Sequence, residues 1–519
     1  MTAVPGNTPI LVGAGQYTDH LNTPQYAALS PHALAARALE RALSDAGITQ
    51  ARHHIDALAA VRTVGDSLPS AQYPLVAPFG RPDNFPRAVA RQAGLNPPTA
   101  IYSIACGDEP QLLVGEMAER IAAGEFKLVA LCGAEAAATT RLALRSGQNL
   151  DWSDTTGGQC EDRGACIEGL RGPQMAAHGM AMPLDIYPLF EHARRDRLKA
   201  GVDEYALMMA ELLARFNEVA QNNPYAFHRE ALSSADIASV SARNRIVSYP
   251  YTKACVAKDA VNQGAAVLMT SVAVAQSLGI DPAKWVYLHG YAKAEEPSVA
   301  HRARLDTSVA MTRTYEQALQ YAQLSAAQIQ HLDLYSCFPV AVFIALEALG
   351  IDASDPRALT VTGGLPYFGG PGNNYAMHAI ASMMETLRRD PGSYGLVGSN
   401  GGYLSKHAVG IYSTAPPAEW RPCSSSALQR SLARLGAREI ELQPRGRGII
   451  ESFSVVPLRE GFRSAILGTL TASGRRFVAH NHDSQSIEEN LINAAAIGRM
   501  VTVRSSHDGC NTFLFEVNC

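Results

Sequence analysis

The chain has no CxxC pair and no regular spacing among its nine Cys. That argues against a disulfide framework and a zinc site, so no metal is expected and a reducing cytoplasm fits best. No run stays apolar for the roughly 20 residues that a membrane helix needs. The N-terminus lacks a basic region followed by an apolar stretch, so no secretory leader is expected. There is no long basic tract, and the formal net charge is -4. Nucleic acid and anionic membranes are therefore not indicated as partners. Two short basic clusters, His192 to Arg197 and Arg445 to Arg447, read as a solvated helix face and a loop. What is present is ordinary for a soluble α/β protein: 519 residues, 47% hydrophobic, 18% charged, with 42 Gly and 29 Pro. The length calls for two or three domains.

Pro9 to Gly15 reads as a buried strand running into a Gly-rich turn. Ser30-Pro31 then marks a helix start and Gly47 its stop, with Leu34, Ala38, Leu39 and Leu43 in helical period. Ile55 to Val64 adds a strand signal. Strands alternating with helices predict a largely parallel sheet covered by helices. One pattern occurs twice. Ala100 to Gly107 is a strand entering a small-residue turn. A helix follows, with Leu112, Leu113, Met117 and Ile121 on one face, and then the strand Phe126 to Ala134. Far downstream, the Gly-rich turn Gly363 to Tyr375 enters a helix with Met377, Ile380, Met384 and Leu387 on one face. The strand Tyr394 to Gly402 follows. Two such halves suggest a duplicated fold. Between them, about Thr139 to Asp259, lies a large insertion of the kind that covers binding sites. It holds a Gly/Asp/Cys-rich run, Asp154 to Gly172, and a helical run near Tyr205 to Val219. After Pro416-Pro417 the texture changes to short strands. Arg476 to His480, Met500 to Arg504 and Asn511 to Val517 are strand signals, and Asp508-Gly509 is a hairpin-type turn. The last ninety or so residues read as a small antiparallel barrel or sandwich.

Several stretches resemble the thiolase superfamily in order and spacing, over roughly residues 8 to 415. Ile10 to Gln16 resembles the first thiolase strand, and Val261 to Met269 the opening of the second half. Gly363-Gly364 through Gly369-Gly370-Pro371 resembles the Gly-Gly…Gly-His-Pro motif. Ser399-Asn400-Gly401-Gly402 resembles Cys-x-Gly-Gly. The extra C-terminal region resembles the β-domain of the thiolase-like type 1 group. The resemblance implies an α/β duplicated thiolase fold, with two mixed sheets and layered helices, plus a small all-β barrel. The implied divisions are 1–260 for the first half with its insertion, 261–415 for the second half, and 425–519 for the barrel. It implies a coenzyme A thioester as substrate, no bound cofactor, and a homodimer, with a monomer left open.

The superfamily's chemistry needs a nucleophilic Cys at a helix N-terminus, an activating His, and a second Cys that handles a proton. This chain departs at each position. The nucleophile falls on Gly107, with Cys106 one residue away, the His on Gly370 and the second Cys on Ser399. The Asn-Glu-Ala-Phe loop becomes Tyr335-Ser336-Cys337-Phe338. Tyr335 matches the first acid/base tyrosine of the sterol-carrier-type aldolase relatives, and Tyr375 stands where their second one lies. The candidate catalytic residues are thus Cys106, Tyr335, Tyr375 and Ser399. The candidate substrate-binding residues are Gly370, Asn400, Gly401 and His407. Each also has a structural reading: a buried small residue for Cys106, strand-end packing for the tyrosines, turn formation for Ser399 and Asn400, and a core or solvent-facing role for His407. Three functions remain open at this stage. They are an acyl-CoA acyltransferase with rearranged catalysis, a tyrosine-based C–C lyase on a CoA thioester, and a non-catalytic acyl-CoA- or partner-binding protein.

Overall fold

The computed structural model describes residues 4–68, 77–166, 172–506 and 509–516. The Gly/Asp/Cys-rich run therefore lies partly outside the described residues, as do Asp508 of the hairpin-type turn and Val517 of the last strand signal. Strands β1 (Pro9–Thr18), β2 (Ala57–Ala60), β3 (Thr99–Tyr102), β4 (Leu128–Ala136) and β5 (Glu161–Asp162) belong to the first half. A small ribbon, β6 (Ile246–Ser248) and β7 (Tyr251–Thr252), lies in the insertion. Strands β8 (Asn262–Ser271), β9 (Val286–Glu295), β10 (His331–Asp333), β11 (Tyr394–Gly401) and β12 (Lys406–Ser413) follow.

All but the ribbon join one ten-stranded sheet in the order β10-β11-β12-β9-β1-β8-β4-β2-β3-β5. Strand β1 pairs with β8 along nearly its whole length and with β9 through a short antiparallel pairing, Ile10 with Tyr287 and Leu11 with Val286. The sheet is mixed rather than largely parallel. The strands β2, β3 and β4 pair parallel, but the long strands β1, β8, β9 and β12 pair antiparallel. Alternating strand and helix signals gave the wrong expectation here because β8, after the insertion, and β9, after one short α-helix, return antiparallel on either side of β1.

Helix α1 (Pro31–Asp45) begins where Ser30 accepts a hydrogen bond from the Ala33 N–H, and its Leu34, Ala38, Leu39 and Leu43 are buried. Helix α2 (Glu109–Ala122) buries Leu113, Met117 and Ile121. Within the insertion, α3 (Pro183–Leu198) and α4 (Val202–Asn222) pack close to the second half. Helices α5 (Val309–Ala322), α6 (Pro339–Leu349) and α7 (Tyr375–Arg389) complete the set that positions the site. Helices α2 and α7 pack on each other and on β8 and β1. Each begins at a turn that follows the pattern repeated in the sequence.

Strands β13 (Gly446–Pro457), β14 (Phe462–Leu470), β15 (Arg476–Asn481), β16 (Met500–Ser505) and β17 (Asn511–Phe515) close into a barrel. Its core holds Ile450, Phe453, Val455, Ile466, Phe477, Val501, Val503 and Phe513. The barrel seats on α3. Ser452 Oγ donates to the Leu189 carbonyl at 2.6 Å, and the His192 ring stacks on Phe453 with centroids 3.9 Å apart. This overturns the solvated-face reading of the His192 to Arg197 cluster. His192, Arg194 and Arg195 are all buried. Arg194 lies over the Phe343 ring and pairs with Glu347 at 3.0 Å. Burial by the barrel and by α6 consumes a face that the charge pattern marked as exposed.

Candidate functional site

Three segments converge on one point. The turn after β3, Ala105 to Asp108, leads into α2. The loop Leu334 to Phe338 joins β10 to α6. The end of β11 carries Ser399, Asn400 and Gly401. At their meeting point stands Gly107. A Cβ built on Gly107 would lie 2.6 Å from Tyr335 Oη and 2.5 Å from the Asn400 carbonyl oxygen. Real Cβ atoms do not approach other atoms so closely, so no side chain fits here as the segments stand. Gly401 abuts the same turn, and a Cβ there would collide with Cys106 and Asp108.

The surrounding groups are buried. Asn400 Nδ2 donates to the Tyr187 hydroxyl at 3.2 Å and lies 3.7 Å from Cys337 Sγ. The Tyr187 ring stacks on Phe338 at 4.1 Å. Tyr187 belongs to α3, so the insertion does reach over this point and closes it. Burial, then the adjoining Asp108 carboxyl, pushes the Cys106 thiol well above its ordinary value. Burial also pushes the Asp108 carboxyl up and the Cys337 thiol up to about 12. Neither cysteine is a thiolate near neutral pH. A buried turn that places a carboxyl beside the thiol works against the helix N-terminus, which alone favours the anion. Tyr335 is likewise pushed well up, first by burial and then by Cys337, Cys106 and Asp108. No hydrogen bond engages its hydroxyl among the described residues.

The other candidates are occupied. The Tyr335 ring meets Tyr375 edge-on at 5.4 Å. The Tyr375 hydroxyl is held by Asp333 Oδ1 at 3.0 Å and by Thr362 Oγ1 at 2.6 Å. Asp333 is the hub of that network. Its Oδ2 accepts from the Thr360 and Thr362 hydroxyls and from the Val361 and Thr362 N–H groups. Ser399 Oγ donates to the Ala408 carbonyl at 2.9 Å. His407 meets Ser308 Oγ at 3.2 Å, and burial lowers its pKa to about 3, so the ring is neutral. The Gly370 N–H donates to the Lys258 carbonyl at 2.8 Å, and a Cβ there would meet Leu365 and Ala257 at ordinary contact distances of 3.5 and 3.7 Å.

The structure therefore gathers Cys106, Tyr335, Asn400 and Gly401 around Gly107, with Tyr375 behind Tyr335. Ser399, His407 and Gly370 serve the backbone and its neighbours instead. Sequence reasoning missed Tyr187, which lies 213 residues from its partner Asn400 and carries no local signal. It also passed over Asp108, although a carboxyl directly before a helix and two residues after Cys106 was visible. Among the described residues, no group of three or more His, Cys, Asp or Glu is placed to hold a metal ion. Among the same residues, no helix is long and apolar enough to cross a membrane.

Two α/β halves on one layered sheet, with a turn at the head of each central helix, define the thiolase fold. The dimeric peroxisomal thiolase of Saccharomyces cerevisiae superposes with a TM-score of 0.57 at 12% identity, over 79% of this chain and 98% of that one. The Ltp2-ChsH2(DUF35) aldolase superposes with a TM-score of 0.56 at 17% identity, again over 79% and 98%. A monomeric SCP2-thiolase-like protein type 1 (STLP1) from Mycobacterium smegmatis is far more similar. It has 34% identity and a TM-score of 0.84, over 99% of this chain and 100% of that one. Residues 427–508 match the thiolase-like protein type 1 additional C-terminal domain. The chain belongs to the SCP2-thiolase-like protein type 1 family. Among curated proteins none matches it.

Proposed function

We propose that this chain binds an acyl-CoA thioester through its thiolase fold without forming an acyl-enzyme. The occupied space at Gly107 carries the reading: Tyr335 Oη and the Asn400 carbonyl fill the position where the superfamily places its nucleophile. The protonated Cys106 beside it supports the same conclusion. Binding by the fold and loss of covalent chemistry are separable, so each has its own measurement. Calorimetry with acetyl-CoA and longer acyl-CoAs is expected to give saturable binding. A thiolysis or condensation assay with the same compounds is expected to give no turnover. Absence of binding across the panel would leave partner recognition as the role of the fold.

A second reading is favoured by one observation. The Tyr335 hydroxyl is uncommitted and lies among Cys106, Cys337 and Asp108. It is the one acid/base candidate here with no hydrogen bond already assigned. On this reading the chain is a C–C lyase on a CoA thioester, and Tyr335→Phe abolishes cleavage while the melting temperature stays unchanged. We also propose that the chain acts as a monomer. Strand β5 of the same chain pairs with β3 and covers the edge of the sheet, Ile101 with Glu161 and Tyr102 with Asp162. A reducing cytoplasm is the proposed location, on the unpaired cysteine spacing.

A further inference from the structure

On the other side of the first turn of α2 lies a cavity of about 480 Å³ that the site above does not use. Leu112, Gly115, Ala292 and Val409 give it an apolar floor, and the segment Pro422 to Ser426 forms its rim. Two polar side chains in its wall are buried. Glu109 is 4% exposed and forms no hydrogen bond or ion pair among the described residues. Gln111 is 2% exposed. Its Oε1 accepts from the Tyr412 hydroxyl at 2.7 Å, but its Nε2 has no partner. Buried polar groups are ordinarily satisfied, and each exception calls for an explanation. The other carboxylates in the wall are spoken for. Glu116 is held by Arg163 at 2.6 Å, and Glu119 accepts from the Tyr291 hydroxyl at 2.5 Å.

We propose that this cavity binds a small alkyl amine, with the Glu109 carboxyl taking the ammonium. The apolar floor suits a short alkyl body. The site is independent of thioester binding, and none of its residues is assigned to that reading. Burial, then the Asp108 and Glu116 charges, pushes the Glu109 carboxyl up to about 8, against the pull of Arg163 and Lys293. Lys406 faces the same group of carboxyls. The empty cavity thus holds Glu109 mostly protonated at pH 7. An arriving ammonium favours the carboxylate, so the proton leaves to the buffer as the ion pair forms.

The probe is n-butylamine, an ammonium on a short alkyl chain. Titration calorimetry of the full chain at pH 7, in phosphate and in HEPES, is expected to show one saturable site. The heats in the two buffers are expected to differ by the release of about one proton. Affinity is expected to rise as the pH passes through about 8, as Glu109 gives up its proton. Glu109→Gln is expected to weaken binding by about tenfold or more and to remove the buffer dependence. Glu109→Gln is close to isosteric and is expected to keep the wild-type melting temperature, which separates lost affinity from lost folding. No saturable heat with the folded wild-type chain would overturn the proposal. So would binding of equal strength in folded Glu109→Gln.

Discussion

The hydroxyl of Tyr335 stands 2.6 Å from the point where a Cβ on Gly107 would be. Two residues 228 positions apart in the chain thus share one space, and the tyrosine excludes a side chain on the glycine. The small residue is what lets the tyrosine reach the head of α2. Restoring the superfamily's nucleophile as Gly107→Cys is therefore expected to lower stability by about 2–3 kcal/mol through overpacking. No acyl transfer is expected from the variant. Chemical denaturation reads the first effect. Adding Tyr335→Ala is expected to recover part of the loss, since it removes one of the two colliding groups.

The halves of the sheet are tied together at Asp45, at the end of α1. It accepts from Arg388 of α7 at 2.6 Å, from Lys284 at 2.8 Å and from the Ala14 N–H at 2.9 Å. Burial opposes its ionisation, but these partners outweigh it and hold the carboxyl below its ordinary 3.8. A carboxyl depressed in this way adds stability above its unfolded pKa and loses it as the pH falls through the folded one. Asp45→Asn is expected to cost about 1–2 kcal/mol at pH 7. Urea denaturation from pH 7 to pH 3 is expected to show the gap between the two proteins steady above pH about 5 and closing below pH about 4.

Arg476 pins the barrel to the thiolase body. It is fully buried, donates to the carbonyls of Ala300 at 3.0 Å and Arg302 at 2.6 Å, and pairs with Glu451 at 2.5 Å. Arg476→Ala leaves Glu451 without its main partner and is expected to cost about 3–5 kcal/mol. Removal of the whole barrel would bare the His192 face of α3, so the chain truncated after residue 425 is expected to aggregate, as light scattering would show.

Much of this architecture was legible. Ser30-Pro31, the stripe from Leu34 to Leu43, and the repeated turn-helix-strand pattern announced α1, α2 and α7 within a residue or two, because caps and 3.6-residue periods are local. The family resemblance named the Gly107, Gly370 and Ser399 positions and the two tyrosines. The longest barrel strands, β13 and β14, were not read, because Gly446 to Pro457 and Phe462 to Leu470 mix inward and outward residues with no clean alternation. Which tyrosine is free was also hidden. Tyr335 and Tyr375 look alike in sequence, and only the Asp333–Thr362 network, formed across 29 residues, distinguishes them. The burial of Arg194 and Arg195 was illegible for the same reason: the groups that cover them are supplied from far along the chain.

The self-pairing of β5 on β3 is expected to keep the chain monomeric. Light scattering coupled to size exclusion is expected to return a mass near 55.4 kDa over a range of loading concentrations. A mass near twice that value would mean that the edge is open to a second copy.

The proposed loss of covalent acyl transfer at the head of α2 is tested most directly by intact-mass spectrometry after incubation with a panel of acyl-CoAs. The unmodified mass is expected with every acyl-CoA, including those that calorimetry shows to bind. A gain equal to the acyl group that disappears in Cys106→Ala would contradict it, and would show that Cys106 works as a displaced nucleophile despite its buried, protonated state.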